Sequence, residues 1–310
     1  MAENFADRLL AAIEAKGSPV CVGLDPVLDR LPPGFPEQVK RTWPRLQEDL
    51  EELASVAAVQ AFCDEVIKAV ADVVPAVKPQ IACFERYGYA GVAAFTEVVR
   101  AAQRRGLIVI ADVKRGDIGS TAAQYAAAHL AGENAPDAIT VSGYFGADGL
   151  MPFVDAAREA GKGIFVLVRT SNPSAAEIQD FADASGRKFY EHIAEWVARV
   201  GAGEGLVGDS GYSCVGAVVG ATFPAEARRL RQIMPRQIFL LPGYGAQGAT
   251  AADCAAAFKA DGTGAIVNAS RSVIYAFGKP EYADMSWPEA IAAAAKAFAK
   301  DVRQAIAAGR

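Results

Sequence analysis

Residues 107–118 read Leu-Ile-Val-Ile-Ala-Asp-Val-Lys-Arg-Gly-Asp-Ile, an apolar run that ends in alternating charges. Side chains on a β-strand alternate between its two faces, so Asp112 and Lys114 are expected to point in the same direction. Asp117 follows just beyond the strand, after a glycine that allows the backbone to turn. Because buried charges are costly unless they are paired, this cluster predicts either a structural ion-pair network or a catalytic site at a strand end.

This apolar run is one of eight short runs that each end in glycine, proline or polar residues. We predict strands at 19–25, 75–83, 107–114, 138–143, 163–169, 215–221, 237–242 and 264–269. Strands that are apolar on both faces are typical of a buried parallel sheet. Helical periodicity lies between them, for example at 90–104, 121–132, 148–160, 186–200 and 225–234. Eight strands alternating with helices predict an α/β fold, a (β/α)8 TIM barrel with residues 1–310 as a single domain.

Two connections between the predicted strands are unusually long. Residues 26–74 contain a proline-rich loop at 32–36 and then a helical pattern from about 45 to 72. Residues 170–186 begin with Thr-Ser-Asn-Pro-Ser and continue with acidic residues. Long loops at the carboxyl face of a barrel are candidates for lids over an active site, and we expect 170–182 to be such a lid.

Polar side chains recur where the predicted strands end. They are Asp25, Lys78, Asp112, Lys114, Asp117, Ser142, Arg169, Ser171, Asn172, Thr222, Gln247 and Arg271. The active sites of TIM barrels lie at the carboxyl ends of their strands, which converge on one mouth. A single charged residue at the start of a loop is usually only solvated, but the whole set predicts an active site.

The last two strands lead into segments that suit a phosphate group. Residues 242–248 read Pro-Gly-Tyr-Gly-Ala-Gln-Gly, and glycines at this spacing expose backbone N–H groups to an anion. Ser270, Arg271 and Ser272 follow strand eight and open a helix, where an arginine fork suits a phosphate dianion. A glycine-rich loop alone is equally a tight turn, but beside Arg271 it predicts a phosphate site.

Composition and charge argue against several classes of protein. The net charge is −5 without a long basic run, so nucleic-acid binding is not expected. No run of about 18 apolar residues is present to span a membrane, and the N-terminal segment does not resemble a signal peptide. Five cysteines lack CxxC spacing, and Cys21, Cys83 and Cys214 lie in apolar strand-like runs. They are typical of reduced core residues, which predicts a cytoplasmic protein without a cysteine-based metal site.

Histidine is scarce in this chain. His129 and His192 are the two present, and both fall in helical stretches rather than at strand ends. Histidine-dependent hydrolysis is therefore disfavoured, and proton transfer falls to Lys, Asp or Glu. The sequence contains no Walker A motif.

Five motifs together cover nearly the whole chain. They are Val-Gly-Leu-Asp-Pro at 22–26, Val-Lys-Pro-Gln at 77–80, Asp-x-Lys-x-x-Asp at 112–117, Pro-Gly-x-Gly-Ala-Gln-Gly at 242–248 and Ser-Arg-Ser-Val-Ile-Tyr at 270–275. This combination resembles the orotidine 5′-phosphate decarboxylase family, in its longer, mycobacterial-type branch. The resemblance implies decarboxylation of orotidine 5′-monophosphate to uridine 5′-monophosphate in pyrimidine biosynthesis, without a metal or other cofactor.

The resemblance also implies roles for the charged residues at the mouth. Lys114 would protonate the ring carbon that is left as a carbanion when CO₂ departs. Asp112 would lie beside the substrate carboxylate, and Lys78 and Asp117 would complete an alternating array. In the family the second aspartate comes from the neighbouring subunit, so the resemblance implies a homodimer in which Asp117 acts across the interface.

Four further positions would bind the substrate by the same resemblance. Asp25 resembles the acceptor of ribose hydroxyl groups, and Ser142 the group near the pyrimidine. Gln247 and Arg271 resemble the phosphate grip. Phosphate lies far from the bond that breaks, so its binding energy can order the site.

Three other interpretations remain open from the sequence. Sister barrels that act on keto-sugar phosphates share Asp-x-Lys-x-x-Asp but use Mg²⁺, held partly by an acidic residue at the end of strand two, where this chain has Lys78. A barrel that binds nucleotides without catalysis is the second interpretation. The third is an adhesive module displaying Arg115-Gly116-Asp117, which would require an exposed loop in a secreted protein.

Overall fold

The computed structural model describes residues 3–42 and 51–309. Eight parallel strands form a closed barrel in sequence order, and the last strand pairs with the first. They are β1 (Val20–Leu24), β2 (Ala76–Pro79), β3 (Ile108–Arg115), β4 (Ala138–Ser142), β5 (Gly163–Arg169), β6 (Ser213–Val219), β7 (Gln237–Leu241) and β8 (Ala265–Ala269). The predicted TIM barrel is confirmed, with strand bounds within a few residues of those expected from sequence.

Helices fill the connections and cover the outside of the barrel. They are α1 (Phe5–Lys16), α2 (Phe35–Thr42), α3 (Glu51–Val70), α4 (Ala82–Glu85), α5 (Gly88–Gln103), α6 (Gly119–Leu130), α7 (Ala147–Ala160), α8 (Ala176–Gln179), α9 (Phe189–Gly201), α10 (Pro224–Ile233), α11 (Ala251–Ala255), α12 (Arg271–Ile274) and α13 (Trp287–Ala308). The helix predicted at 45–72 is observed from Glu51, and 45–50 lie outside the described residues. None of the described helices is long and apolar enough to cross a membrane.

The strands are buried on both faces, which explains their near-continuous apolar sequences. Every residue of β1, β6, β7 and β8 is buried. One face of each strand fills the barrel and the other packs beneath the helices, as a parallel sheet requires. Within the strands, Lys114 is exposed, and it lies near the carboxyl end of β3.

Helix α1 covers the amino-terminal end of the barrel. It begins after Asn4, whose side chain accepts the Ala6 N–H at 2.9 Å. Phe5 packs edge-to-face on Phe165 with ring centroids 5.9 Å apart. A Cβ at Gly163 would lie 2.2 Å from the Phe5 ring, so only glycine allows this close approach. With this end covered, the carboxyl ends of the strands form the open face.

Strand β2 is shorter than the sequence predicts. It ends at Pro79, Gln80 forms an isolated bridge with Asp112, and the chain then enters α4. Cys83 therefore lies half-buried in a helix, which corrects its predicted place in a strand. A short apolar run does not distinguish a strand from one turn of buried helix, because periodicity needs more residues to show.

Candidate active site

A cavity of about 450 Å³ opens at the carboxyl ends of the barrel strands. Six of the residues expected to act on or bind substrate line it: Asp25, Lys78, Asp112, Lys114, Gln247 and Arg271. Thr170, Ser171 and Asn172, which follow β5, also line its wall. The convergence follows from the closed parallel topology, which brings all eight strand ends to one face.

Asp112 is the centre of a buried hydrogen-bond network. Its Oδ2 accepts from Lys78 Nζ at 2.7 Å and from Gln80 Nε2 at 3.0 Å. Its Oδ1 accepts from Lys114 Nζ at 2.6 Å and from Thr140 Oγ1 at 2.9 Å. We call Lys78, Asp112 and Lys114 the lysine–aspartate array. One carboxylate thus holds two ammonium groups in fixed positions.

The charges of the array stabilise one another. Burial raises the pKa of Asp112, but the ammonium groups of Lys78 and Lys114 outweigh it and hold that pKa well below its usual range. Burial lowers the pKa of Lys78, but the carboxylates of Asp112 and Asp25 outweigh it and hold that pKa above its usual range. Asp112 and Lys78 are therefore both charged near neutral pH, and their pairing makes burial tolerable.

Lys114 has an unusual backbone conformation. Its φ is +44°, the only positive φ among the described residues other than glycine. The pairing of β3 with β4 shifts at the same place, from Ala111 opposite Ile139 to Arg115 opposite Val141. The strand therefore bulges, with two more residues on β3 than on β4. A lysine in this conformation carries about 1–3 kcal/mol of strain and persists only where its surroundings impose it.

The loop after β7 and the start of α12 form another part of the cavity wall. Gly243, Gly245 and Gly248 have φ values of +116°, +68° and +92°, conformations that favour glycine. Tyr244 anchors the loop to α13, donating a 2.6 Å hydrogen bond from Oη to Asp301 Oδ2. The loop and Arg271, at the start of α12, share the cavity. A guanidinium beside this loop favours an anion such as phosphate.

Several buried polar atoms near this wall have no hydrogen-bond partner within the described residues. Asp25 Oδ1, Asn268 Oδ1 and Ser270 Oγ are such atoms, and all three residues line the cavity. A Cβ at Gly23 would lie 2.7 Å from Ser270 Cβ, so glycine is required where β1 passes this segment. Buried polar atoms rarely remain unpaired in proteins, so these three favour a polar ligand.

The family is decided by comparison with known proteins. Residues 18–284 match the sequence model of the family described as orotidine 5′-phosphate decarboxylase / HUMPS family. This chain belongs to that family. The family resemblance inferred from the five motifs is thereby confirmed.

Relatives of high similarity carry the decarboxylase name. An orotidine 5′-phosphate decarboxylase of Rhodopirellula baltica is 44% identical over 301 residues, covering 94% of this chain and 96% of that protein. One from Deinococcus radiodurans is 44% identical over 278 residues, covering 90% of this chain and 92% of the relative. The solved structure of Leishmania donovani OMP decarboxylase superposes with a TM-score of 0.73 at 31% identity, covering 98% of each chain.

Asp117 lies apart from the other charged residues that the family motif contains. It is outside the wall of the cavity, and its Oδ1 accepts the Ile118 N–H at 2.8 Å. The surface around it is apolar, since Ile118 is 55% exposed, Tyr144 71% and Phe145 43%. The neighbouring Arg115 forms an ion pair with Glu85 and donates to the Val113 carbonyl, contacts that disfavour an adhesive Arg-Gly-Asp loop.

Ser142 also lies outside the cavity wall. It ends β4, and a Cβ at Gly116 would lie 3.0 Å from Ser142 Cβ, which places the serine beside the turn after β3. Two other serines line the cavity, Ser171 after β5 and Ser270 after β8. A Cβ at Gly220 would lie 2.9 Å from Ser171 Cα, so the end of β6 holds this segment closely.

Arg169 does not join the mouth, which corrects its place among the convergent strand ends. The residue is 1% exposed, and its guanidinium points toward α10 and α8 rather than into the cavity. Nε donates to Glu226 at 2.6 Å and Nη2 lies 3.1 Å from Asp180, while the Phe223 ring centroid is 4.1 Å from Cζ. Thr222, also expected at the mouth, does not line the cavity either.

The segment 170–182, predicted as a lid, is tied to the barrel in this structure. Thr170 N–H donates to Gln179 Oε1 at 3.0 Å, and Gln179 Nε2 donates to Thr170 Oγ1 at 2.7 Å. Lys188 and Asp180 form an ion pair of 3.1 Å. Its first residues line the cavity and its later ones contact Arg169 and Lys188, so the segment forms part of the cavity wall in this structure, and its role as a lid stays a prediction.

Three polar residues of the site were missed by the sequence analysis. Gln80 and Thr140 bind Asp112, and Asn268 lines the cavity from β8. A signal was present, because Thr140 and Asn268 are polar residues inside otherwise apolar strands. A polar residue that faces the interior of a barrel must find a partner there. Among the described residues, no group of His, Cys, Asp and Glu is arranged to hold a metal ion.

Proposed function

We propose that this chain decarboxylates orotidine 5′-monophosphate to uridine 5′-monophosphate. The observation that carries the proposal is the lysine–aspartate array in the wall of the cavity that the glycine loop and Arg271 also line. The array suits the carboxylate on the pyrimidine ring of a nucleotide, and Arg271 suits its phosphate. The names of the relatives support the same reaction.

In the proposed mechanism, the bond between the ring carbon and its carboxylate breaks and CO₂ leaves. The electron pair stays on the ring carbon and takes up a proton from Lys114 Nζ. The Lys114 ammonium stabilises the negative charge as it develops, before the proton moves. Asp112 holds that ammonium at 2.6 Å and places its own negative charge beside the substrate carboxylate. Repulsion between two carboxylates favours departure of CO₂.

The remaining cavity residues are proposed to bind the substrate. Asp25 accepts hydrogen bonds from ribose hydroxyl groups through its unpaired Oδ1. Arg271 and Gln247 bind the phosphate. Ser171 takes the place near the pyrimidine that the family resemblance assigned to Ser142, since Ser171 lines the cavity. Phosphate binding far from the breaking bond contributes energy that orders the site for catalysis.

We also propose that the enzyme is a homodimer in which Asp117 completes the array of the partner subunit. Its position outside the cavity of its own chain supports this assignment. The exposed apolar side chains Ile118, Tyr144 and Phe145 form a surface suited to an isologous interface. A cytoplasmic location is supported by all five cysteines being free thiols.

The reaction is tested by mixing purified protein with orotidine 5′-monophosphate and EDTA and following the loss of substrate absorbance. We expect stoichiometric uridine 5′-monophosphate and CO₂, with a rate that EDTA does not change. Folded protein that binds the nucleotide without converting it would support a non-catalytic barrel instead. Turnover of keto-sugar phosphates that EDTA abolishes would support the Mg²⁺-dependent sister activity.

The shared site is tested by mixing two inactive variants, Lys114→Ala and Asp117→Ala, under conditions that exchange subunits. A hybrid dimer would contain one site with both Lys114 and the partner's aspartate intact. We expect activity to reappear on mixing, up to one native site per hybrid. If Asp117 acted within its own chain, both sites of the hybrid would stay defective and mixing would restore nothing.

A further inference from the structure

Thr140 connects two elements of the proposed catalytic machinery through one hydroxyl group. It lies in β4 and is 1% exposed. Its Oγ1 accepts the backbone N–H of Lys114 at 2.9 Å and donates to Asp112 Oδ1 at 2.9 Å. A hydroxyl has one proton, so donation to the carboxylate and acceptance from the amide fix its orientation completely.

The contact lies where the backbone of β3 is strained. Lys114 has a φ of +44°, and the β3–β4 pairing shifts between Ala111 and Arg115. A bulge removes backbone groups from the regular ladder. At Lys114 the side chain of Thr140 supplies the hydrogen bond for the N–H group. Threonine is suited to this because its branched Cβ restricts χ1 and leaves its hydroxyl little freedom.

The same hydroxyl also orients the carboxylate. Asp112 Oδ1 accepts hydrogen bonds from Thr140 Oγ1 at 2.9 Å and from Lys114 Nζ at 2.6 Å. Thr140 therefore acts on Lys114 from two directions, through its backbone and through the carboxylate that holds its ammonium. Loss of the hydroxyl would release both constraints at once.

We propose that Thr140 is a positioning residue, which holds Lys114 in its left-handed conformation and sets the location of the donor ammonium. The inference rests on the proposed function, in which Lys114 supplies the proton. Thr140 itself need not touch the ring carbon. Displacement of a reacting group by about 1 Å can cost about 100-fold in rate.

The test compares Thr140→Val, which keeps the shape and removes the hydroxyl, with Thr140→Ser, which keeps the hydroxyl and removes the methyl. We expect Thr140→Val to lower kcat for orotidine 5′-monophosphate by about 10- to 100-fold, with KM changed less than about threefold. Thr140→Ser should recover most of the kcat. Thermal unfolding of each variant reports stability separately, and Thr140→Ala replaces the valine variant if that protein does not fold.

Two kinetic results would overturn the proposal. One is a kcat for Thr140→Val equal to that of the parent. The other is that the valine and serine variants show the same decrease in kcat, the same change in KM and the same decrease in thermal stability. A packing role predicts this result, because serine would then not restore kcat. Failure of the proposed function shows itself separately, because the parent would then yield no uridine 5′-monophosphate. If the parent is inactive, crystal structures of the parent and of Thr140→Val test the inference instead. A positive φ at Lys114 in Thr140→Val would refute the positioning role.

Discussion

Two walls of the cavity differ in the hydrogen bonding of their polar atoms. One wall is formed where β2, β3 and β4 end, and the other where β1 and β8 end. Where β2, β3 and β4 end, the Asp112 carboxylate accepts four hydrogen bonds, two of them from lysine ammonium groups. Where β1 and β8 end, Asp25 Oδ1, Asn268 Oδ1 and Ser270 Oγ are buried without a partner among the described residues.

This difference indicates a division of labour within one cavity. Charges that are already paired and oriented need little reorganisation during a reaction, so they suit the stabilisation of a transition state. Polar atoms that the protein itself does not pair suit the hydroxyl and phosphate groups of a bound ligand. The β2–β4 wall is built to act on the substrate, and the β1–β8 wall is built to hold it.

The largest effect is expected from Lys114→Ala, which removes the proton donor from the paired wall. Turnover should fall by about 10⁴-fold or more, because both proton donation and charge stabilisation are lost. The fold should survive, since the Lys114 side chain is 48% exposed. Single-turnover kinetics, with circular dichroism as a control for folding, measure this. A loss of only a few-fold would remove Lys114 from the mechanism.

Asp112→Asn comes next and is expected to affect stability as well as activity. Removing the carboxylate leaves the Lys78 ammonium buried without its ion-pair partner. We expect the free energy of unfolding to fall by about 3–5 kcal/mol, measured by urea denaturation. Asp7→Asn is a matched control, because that carboxylate accepts hydrogen bonds from the Asp209 and Ser210 N–H groups and forms no ion pair within the described residues. An equal loss in both variants would contradict a special role for the array.

The stability difference between the parent and Asp112→Asn is expected to depend on pH. The sign of this dependence follows from the shifted pKa values of Asp112 and Lys78. The pKa of Asp112 is lowered, so its contribution to stability is present above the unfolded pKa of about 3.9 and is lost as the pH falls toward the folded value. The pKa of Lys78 is raised, so its contribution is present below about 10.4 and is lost as the pH rises further. The stability difference between parent and Asp112→Asn should be constant from about pH 5 to 9 and shrink below about pH 4. A stability difference that increased as the pH fell would contradict this prediction.

A smaller effect is expected from Arg271→Ala in the binding wall. Loss of a charge-assisted contact with phosphate should lower kcat/KM for orotidine 5′-monophosphate by about 10- to 100-fold. The nucleoside orotidine, which lacks the phosphate, is the control substrate and should react equally with parent and variant. An equal loss on both substrates would place Arg271 in the chemistry rather than in phosphate binding.

The smallest effect distinguishes two serines. Ser171→Ala should lower kcat/KM by about tenfold through loss of one hydrogen bond near the pyrimidine. Ser142→Ala should have the weaker effect, since Ser142 lies outside the cavity wall. Steady-state kinetics of both variants decide between them. The opposite order would restore the assignment made from the family resemblance.

Much of this arrangement was predictable from the order of residues along the chain. Apolar runs with β-branched residues mark strands that are buried on both faces, and their number and spacing predict the barrel. Asp112 and Lys114 were placed together by strand alternation, and they do meet. Glycines at 243, 245 and 248 marked the loop after β7. These features are local, so periodicity and turn chemistry report them directly.

Other features depend on which elements pack against each other. Arg169 lies at the carboxyl end of its strand, as Lys78 does near the end of β2. Its guanidinium points away from the mouth because it forms ion pairs with Glu226 on α10 and with Asp180. At the bulge, the backbone N–H of Lys114 donates to Thr140 on the neighbouring strand instead of to a regular ladder partner. Linear order reveals which residues share a strand and which face they take. The partners of a buried charge and the strain that a backbone can sustain are set by contacts between residues far apart in sequence, so they appear only once the barrel has closed.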